Sequence, residues 1–313
     1  FQANATNDTR YRLFREVVNN PFMEVADNQP PANVDARTIR LSDKDYKTYY
    51  VSGANEFTWP KSHGIKYATT IMTEEISEDL SSVSKTIAQA IEKDVQPDDV
   101  IWIHDYQNML VAMELRKLGV QNKICNFHHI PVPAPAPIDV AKNDEGHQMM
   151  MNLFDGLTHC DVVNFQTGED ASNFLKWVAL AHPDLEIDHE SIPPFESRTI
   201  DINGRSVSVG NFPISTNPEH NRKKSASPIE SKTALSIKEK LVAPYILFST
   251  ERLDYTKGIE ERLHAYIQLM EQRPELCGQV QMMVGAEPSR VDIQAYIDYG
   301  QRVKSLIEQI NSR

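Results

Sequence analysis

The chain has 313 residues, enough for two α/β domains, and its 40% hydrophobic content supplies a core, so disorder is excluded as the default. A formal net charge of -12 and a pI near 5.3 argue against nucleic acid, which needs a basic face, while leaving room for a small phosphorylated ligand held by a few local cations. Cys125, Cys160 and Cys277 form no CxxC pair and read as small buried hydrophobes of a reduced compartment; with no secretory or membrane-spanning apolar run, a cytoplasmic protein is expected.

Residues 1–50 read as polar and loop-rich, with extended pieces such as Arg37–Leu41. Ile76, Leu80, Val83, Ile87 and Ile91 then recur at helical spacing over Glu74–Lys93. A Pro97-Asp98-Asp99 turn precedes a short strand, Val100–Ile103, and a helix carrying Leu110, Met113 and Leu118 that Gly119 closes. Ile124–Phe127 reads as a strand, Asp144–Leu157 as a helix, Val162–Phe165 as a strand and Ala171–Ala181 as a helix. This alternation predicts βαβ units and a parallel sheet. Asn203-Gly204 marks a hairpin within Thr199–Val209, and the polar stretch Ser215–Ser231 reads as a linker. Beyond it the βα pattern resumes with Tyr245–Ser249, a helix bearing Leu263, Tyr266, Ile267 and Met270, the strand Val280–Val284, and a last helical pattern on Val303, Leu306, Ile307 and Ile310. Starting at Phe1 without a methionine and stopping at Asn311-Ser312-Arg313 straight after that pattern, the chain reads as cut at both ends.

Ligands of open parallel sheets bind beyond the carboxyl ends of the strands. After Val100–Ile103 stands His104-Asp105-Tyr106-Gln107, where Asp105 orients sugar hydroxyls, acts as a base or caps the next helix. Next comes Phe127-His128-His129-Ile130-Pro131, leading into Pro133, Pro135 and Pro137, a stiff extended wall. Two adjacent histidines suggest zinc, but extended neighbours point to opposite sides and no Cys or acidic ligand follows at zinc spacing, so no metal is expected. Arg252 and Lys257 flank the start of a helix near Ile259, where a cation sits well only beside an anion; a phosphate or diphosphate site is expected there. Arg290 follows the next strand in the same way. Neither GxGxxG nor a P-loop occurs, and no GxSxG elbow.

The segments VIWIHDYQNML (100–110), NFHHIPVP (126–133), DVVNFQT (161–167), NFPI (211–214), TERLDYTKG (250–258) and PSRVDIQAY (288–296), with Tyr49-Tyr50 and Phe57-Thr58-Trp59-Pro60 upstream, resemble the trehalose-6-phosphate synthases and their relatives the glucosylglycerol-phosphate synthases. The resemblance covers roughly residues 37 to 313. It implies a retaining glycosyltransferase of two Rossmann-like domains (GT-B type), the second apparently truncated. These are an acceptor-side domain over 1–220 that lacks its start, and the first part of a nucleotide-sugar domain over 221–313. The implied reaction moves glucose from UDP-glucose to glucose 6-phosphate without metal or cofactor, in trehalose biosynthesis and osmoprotection. Carried over by position, Arg252 and Lys257 hold the donor diphosphate, His129 the donor glucose and Asp105 the hydroxyls at the reaction centre; Tyr50, Trp59 and Arg290 join Asp105 at the acceptor. The implied partners are a sugar nucleotide and a sugar phosphate, with neither nucleic acid nor membrane, and a homo-oligomer is left open. Alternatives are glycerol 3-phosphate as acceptor, or a non-catalytic relative that binds sugar phosphates. Against the family pattern the glycine-rich loop has no counterpart, Gln107 replaces a usual His, and Asn164 and Ser215 replace glycines.

Overall fold

The computed structural model describes residues 11–18, 34–65, 70–136, 144–202, 204–226 and 232–312. The chain forms two compact units, Phe1–Ile214 and Ser215–Arg313.

In the first unit a five-stranded sheet has the order β3-β4-β5-β7-β6. Here β3 is Val100–His104, β4 Lys123–Phe127, β5 Val162–Phe165, β6 Ser197–Ile202 and β7 Arg205–Asn211. The first three and β7 run parallel; β6 turns back on β7 as the expected hairpin, with Gly204 at φ 73. A separate parallel pair, β1 (Tyr11–Val18) and β2 (Val34–Leu41), precedes them.

The helices are α1 (Glu74–Asp94), α2 (Val111–Lys117), α3 (Glu145–Leu157) and α4 (Gly168–Ala181). Each is built as its sequence indicates. Thr73, Asp144 and Thr167 accept the first free N–H groups of α1, α3 and α4, and the periodic residues Ile76, Leu80, Val83, Ile87 and Ile91 are all buried. Gly119 closes α2 at φ 84.

Residues 43–62, which as far as residue 50 were expected to be loop, are helical. Tyr46–Thr58 forms a π-helix flanked by short α-helical turns at Asp43–Asp45 and Trp59–Ser62. Its i→i+5 bonding, with Trp59 N–H donating to Ala54 O, spaces the buried Tyr49, Ala54 and Phe57 off the 3.6-residue period, which hides the helix from a periodicity reading. At Gly53 an added Cβ would stand 3.0 Å from the Leu80 side chain, so the glycine sets how closely this helix approaches α1.

In the second unit, α5 (Pro218–Ser225), α6 (Lys232–Lys240), α7 (Ile259–Gln272) and α8 (Gln294–Asn311) accompany β8 (Tyr245–Arg252) and β9 (Val280–Glu287), which pair in parallel. The stretch expected to be a linker thus holds α5, capped by Asn217 and burying no side chain. Ile259, Leu263, Tyr299, Val303 and Leu306 bury the seam of α7 and α8. All three cysteines are free; Cys160 is buried and Cys125 half-buried, but Cys277 is exposed because it leaves the turn Pro274–Leu276. Among the described residues no helix is long and apolar enough to cross a membrane.

Candidate active site

Two groups of the expected residues gather at strand ends, one in each unit. In the first unit β3 ends at His104, whose Cα partner across the sheet is Phe127. Asp105 then turns the chain at φ 66 and ψ -179, a conformation nearly reserved for glycine. Its N–H donates to Phe127 O at 2.9 Å, and its Oδ1 accepts the N–H of His129 at 3.1 Å rather than capping the 3₁₀ turn Tyr106–Asn108. The helix-cap alternative for Asp105 is thereby set aside. Burial pushes the Asp105 carboxyl above its ordinary range, against the pull of the His129 N–H.

His129 stacks on His104, with ring centroids 5.4 Å apart and 12° between planes, and His104 Nδ1 lies 3.1 Å from His129 Nε2. One ring must donate there, which leaves Nδ1 of His129 for a ligand. Burial, and then the neighbouring His129, hold His104 below the usual histidine range. His128 points the other way and is fully buried between Phe154 and Phe165, so the two adjacent histidines share no side. Its ring nitrogens and both side-chain atoms of Asn126 have no hydrogen-bond partner among the described residues.

The start of the proline segment downstream is fixed on α4 at Val132 and Pro133. Asp170 accepts the Val132 N–H at 2.8 Å, Asn173 donates to Val132 O at 2.9 Å, and the Trp177 indole donates to Pro133 O at 2.8 Å. Pro137 lies outside the described residues.

The helical stretch before α1 clamps the Asp105 turn. Tyr106 OH donates to Asn55 Oδ1 at 2.8 Å, Asn55 donates to Tyr50 O at 2.7 Å, and Tyr49 OH donates to Gln107 O at 2.9 Å. Tyr50 is half-buried, its ring 5.1 Å from Tyr46. Trp59 is only 6% exposed and packs 5.7 Å from Tyr106. Tyr50, Trp59, Asp105 and His129 are thus linked through Tyr106 and Asn55.

In the second unit, Arg252 is the last residue of β8, opposite Glu287 at the end of β9. Asp254 follows it, fully buried, with Oδ1 accepting the N–H and the hydroxyl of Thr256 at 2.9 and 2.8 Å. Its Oδ2 lies 3.6 Å from Arg252 Nη2 and 3.8 Å from Arg290 Nη1. Arg290, at φ 50, hydrogen-bonds Tyr296 OH and lies 5.2 Å over the Tyr296 ring. Lys257 ends the 3₁₀ turn Tyr255–Lys257 before Gly258, and its exposed ammonium forms no ion pair among the described residues.

The expected anion cradle at the start of α7 differs in one respect. Ile259 and Glu260 donate their N–H groups to Tyr299 OH at 3.1 and 3.3 Å, so the hydroxyl occupies donors a phosphate would use. The positive charge near this turn is therefore that of the Arg252, Lys257 and Arg290 side chains rather than of free backbone N–H groups. Sequence reasoning missed Asp254 and Tyr299. The first stood inside a quoted motif, without a role; the second carries no local signal at all. Two open grooves, of about 410 Å³ along α7 and α8 and about 580 Å³ between α1 and α3, lie away from both clusters.

Trehalose-6-phosphate synthase of Cronobacter sakazakii is 32% identical over 282 residues, covering 90% of this chain and 56% of the relative. That of Klebsiella pneumoniae is 29% identical, over 93% and 59%. The chain thus spans little more than half the length of these relatives. Among solved structures, a Burkholderia xenovorans alpha,alpha-trehalose-phosphate synthase (UDP-forming) in complex with glucose-6-phosphate matches with a TM-score of 0.82 at 27% identity, over 99% of this chain and 67% of that one. An E. coli structure bound with UDP-2-fluoro glucose matches with a TM-score of 0.77 at 27% identity, over 96% and 63%. These likenesses give the chain the GT-B fold expected from its sequence. The description of glycosyltransferase family 20 fits residues 16–313, and the chain belongs to that family.

Proposed function

We propose that the protein carrying this chain transfers glucose from UDP-glucose to glucose 6-phosphate with retention, giving trehalose 6-phosphate. The observation that carries the proposal is the grouping of Arg252 and Arg290 about one carboxylate, with Lys257 on the turn that follows, at the carboxyl ends of β8 and β9. It is supported by family relatives whose structures hold glucose-6-phosphate in one case and UDP-2-fluoro glucose in another.

The chemical task follows from the charges. As the bond from the sugar carbon to the diphosphate breaks, negative charge grows on the leaving oxygen; Arg252 and Lys257 offset it as preorganised cations, an effect each worth about 2.7–4 kcal/mol where such donors are removed. Arg290 takes the acceptor phosphate, Tyr50 and Trp59 line the acceptor site, His129 holds the donor glucose, and Asp105 orients hydroxyls at the reaction centre. The acceptor hydroxyl attacks the face that the diphosphate vacates and passes its proton to the diphosphate, which retains the configuration without a carboxylate nucleophile. No metal or cofactor takes part in this scheme. The partners are small molecules, the setting is the cytoplasm, and the product links the protein to osmoprotection.

The test is UDP release from UDP-glucose by the full-length protein, with glucose 6-phosphate and glycerol 3-phosphate offered separately. Release with glucose 6-phosphate alone, giving an α,α-linked product, is expected. Release with glycerol 3-phosphate alone reassigns the acceptor, and no release by folded protein replaces catalysis with sugar-phosphate binding.

A further inference from the structure

Asp254 has the setting of a residue chosen for its charge. It is fully buried, and a buried carboxylate is tolerated only where positive charge and hydrogen bonds surround it. One oxygen is fixed by Thr256 through two hydrogen bonds. The other has no hydrogen bond among the described residues and faces Arg252 at 3.6 Å and Arg290 at 3.8 Å. Both separations exceed hydrogen-bond length, so each guanidinium is attracted without spending its donors.

Arg252 ends β8 and Arg290 lies just beyond β9, and their like charges repel. The buried carboxylate is the counter-charge that lets both stay near one point. For Arg252, whose side chain is 49% exposed, it is the one ion pair among the described residues. Arg290 is held more firmly, by the hydroxyl and ring of Tyr296, with its side chain 10% exposed.

We propose that Asp254 is a positioning residue shared by the donor and acceptor anion sites, its one free oxygen aiming Arg252 at the donor diphosphate and Arg290 at the acceptor phosphate. This rests on the function proposed above. The alternative is that Asp254 merely balances charge, and the two ideas predict opposite signs. Removing a negative charge beside two anion-binding cations strengthens anion binding if only the net field matters. Removing the fixture weakens it if orientation matters.

Asp254→Asn keeps an oxygen for Thr256 and deletes the charge. The experiment is isothermal titration of UDP and, separately, glucose 6-phosphate into the full-length protein, Arg252→Ala, Arg290→Ala, Asp254→Asn and the two double variants. Asp254→Asn is expected to weaken both ligands by about tenfold. Its effect on UDP should vanish in the Arg252→Ala background and its effect on glucose 6-phosphate in the Arg290→Ala background. Equal or tighter binding by Asp254→Asn, with each arginine variant weakened for its own ligand, overturns the proposal and leaves the proposed function standing. A wild type that binds neither ligand, or arginine variants that bind like wild type, overturns the proposed function and this inference with it. If circular dichroism shows Asp254→Asn unfolded, Thr256→Ala replaces it, removing only the 2.8 Å hydroxyl bond to Oδ1. A parallel loss of about twofold for both ligands is then expected, and no loss for either overturns the proposal.

Discussion

Replacing His128 by leucine tests how the buried strand end of the first unit is built. The ring is fully buried between Phe154 and Phe165, and neither nitrogen has a partner among the described residues. Burying a polar group in that state costs about 1–3 kcal/mol, while a swap of similar volume costs less than about 1.5 kcal/mol. The variant is therefore expected to be about 1 kcal/mol more stable than wild type at pH 7.5. Burial, with His129 adding to it, pushes the His128 pKa down from 6.5 to about 3. Protonation is thus disfavoured in the fold: this stability is fully present above pH 6.5 and is lost as the pH falls toward 3, while the unfolded chain takes up a proton that the folded chain refuses. At about 1.4 kcal/mol per pH unit the loss reaches about 2 kcal/mol at pH 5. His104, His147 and His159 are also held below the usual range, mainly by burial, so the leucine variant keeps a residual slope. Urea unfolding followed by circular dichroism at pH 7.5 and pH 5 isolates the His128 share, with the advantage of the leucine expected to grow from about 1 to about 3 kcal/mol. A leucine variant less stable than wild type at pH 7.5, with an unchanged pH slope, refutes the reasoning and means that the ring nitrogens are hydrogen-bonded in solution.

Lys257→Ala should lower turnover by about 10²-fold or more while leaving the unfolding midpoint in place, because its exposed ammonium forms no ion pair among the described residues. Steady-state rates together with a thermal melt check this, and unchanged turnover removes Lys257 from the diphosphate site. Tyr299→Phe deletes the oxygen that receives the Ile259 and Glu260 N–H groups, and should cost the second unit about 1–2 kcal/mol in urea unfolding, as loss of a helix cap does. An unchanged midpoint means that water serves those donors equally well.

Much of the fold was legible because its signals are local. The apolar face of α1, the Asn-Gly hairpin and the glycine that closes α2 each announce themselves within a few residues. The helix over 46–58 did not, since i→i+5 bonding has no entry among the periods a reader tests. For the site, strand ends pointed to Asp105, His129, Arg252, Lys257 and Arg290, but not to how they are held. His129 meets His104 through the register of β3 on β4, and Tyr299 reaches the start of α7 from forty residues away. Such pairings depend on packing that no local pattern encodes.

Among the described residues, the non-glycine positions with positive φ are Asp105, Phe195 and Arg290. Two of the three, Asp105 and Arg290, follow strands, and the family resemblance implies ligand roles for both. Neither is asparagine or glycine, so local preference opposes both conformations, at a cost of about 1–3 kcal/mol each. Each is held by its surroundings: Asp105 by the Phe127 carbonyl and the His129 N–H, Arg290 by Tyr296 and Asp254. Strain so maintained turns a carboxylate off the line of β3 in the first unit and a guanidinium off the line of β9 in the second. A relaxed backbone at either place would free stability and lose that direction, which argues that each turn is kept for where it aims its side chain rather than being incidental.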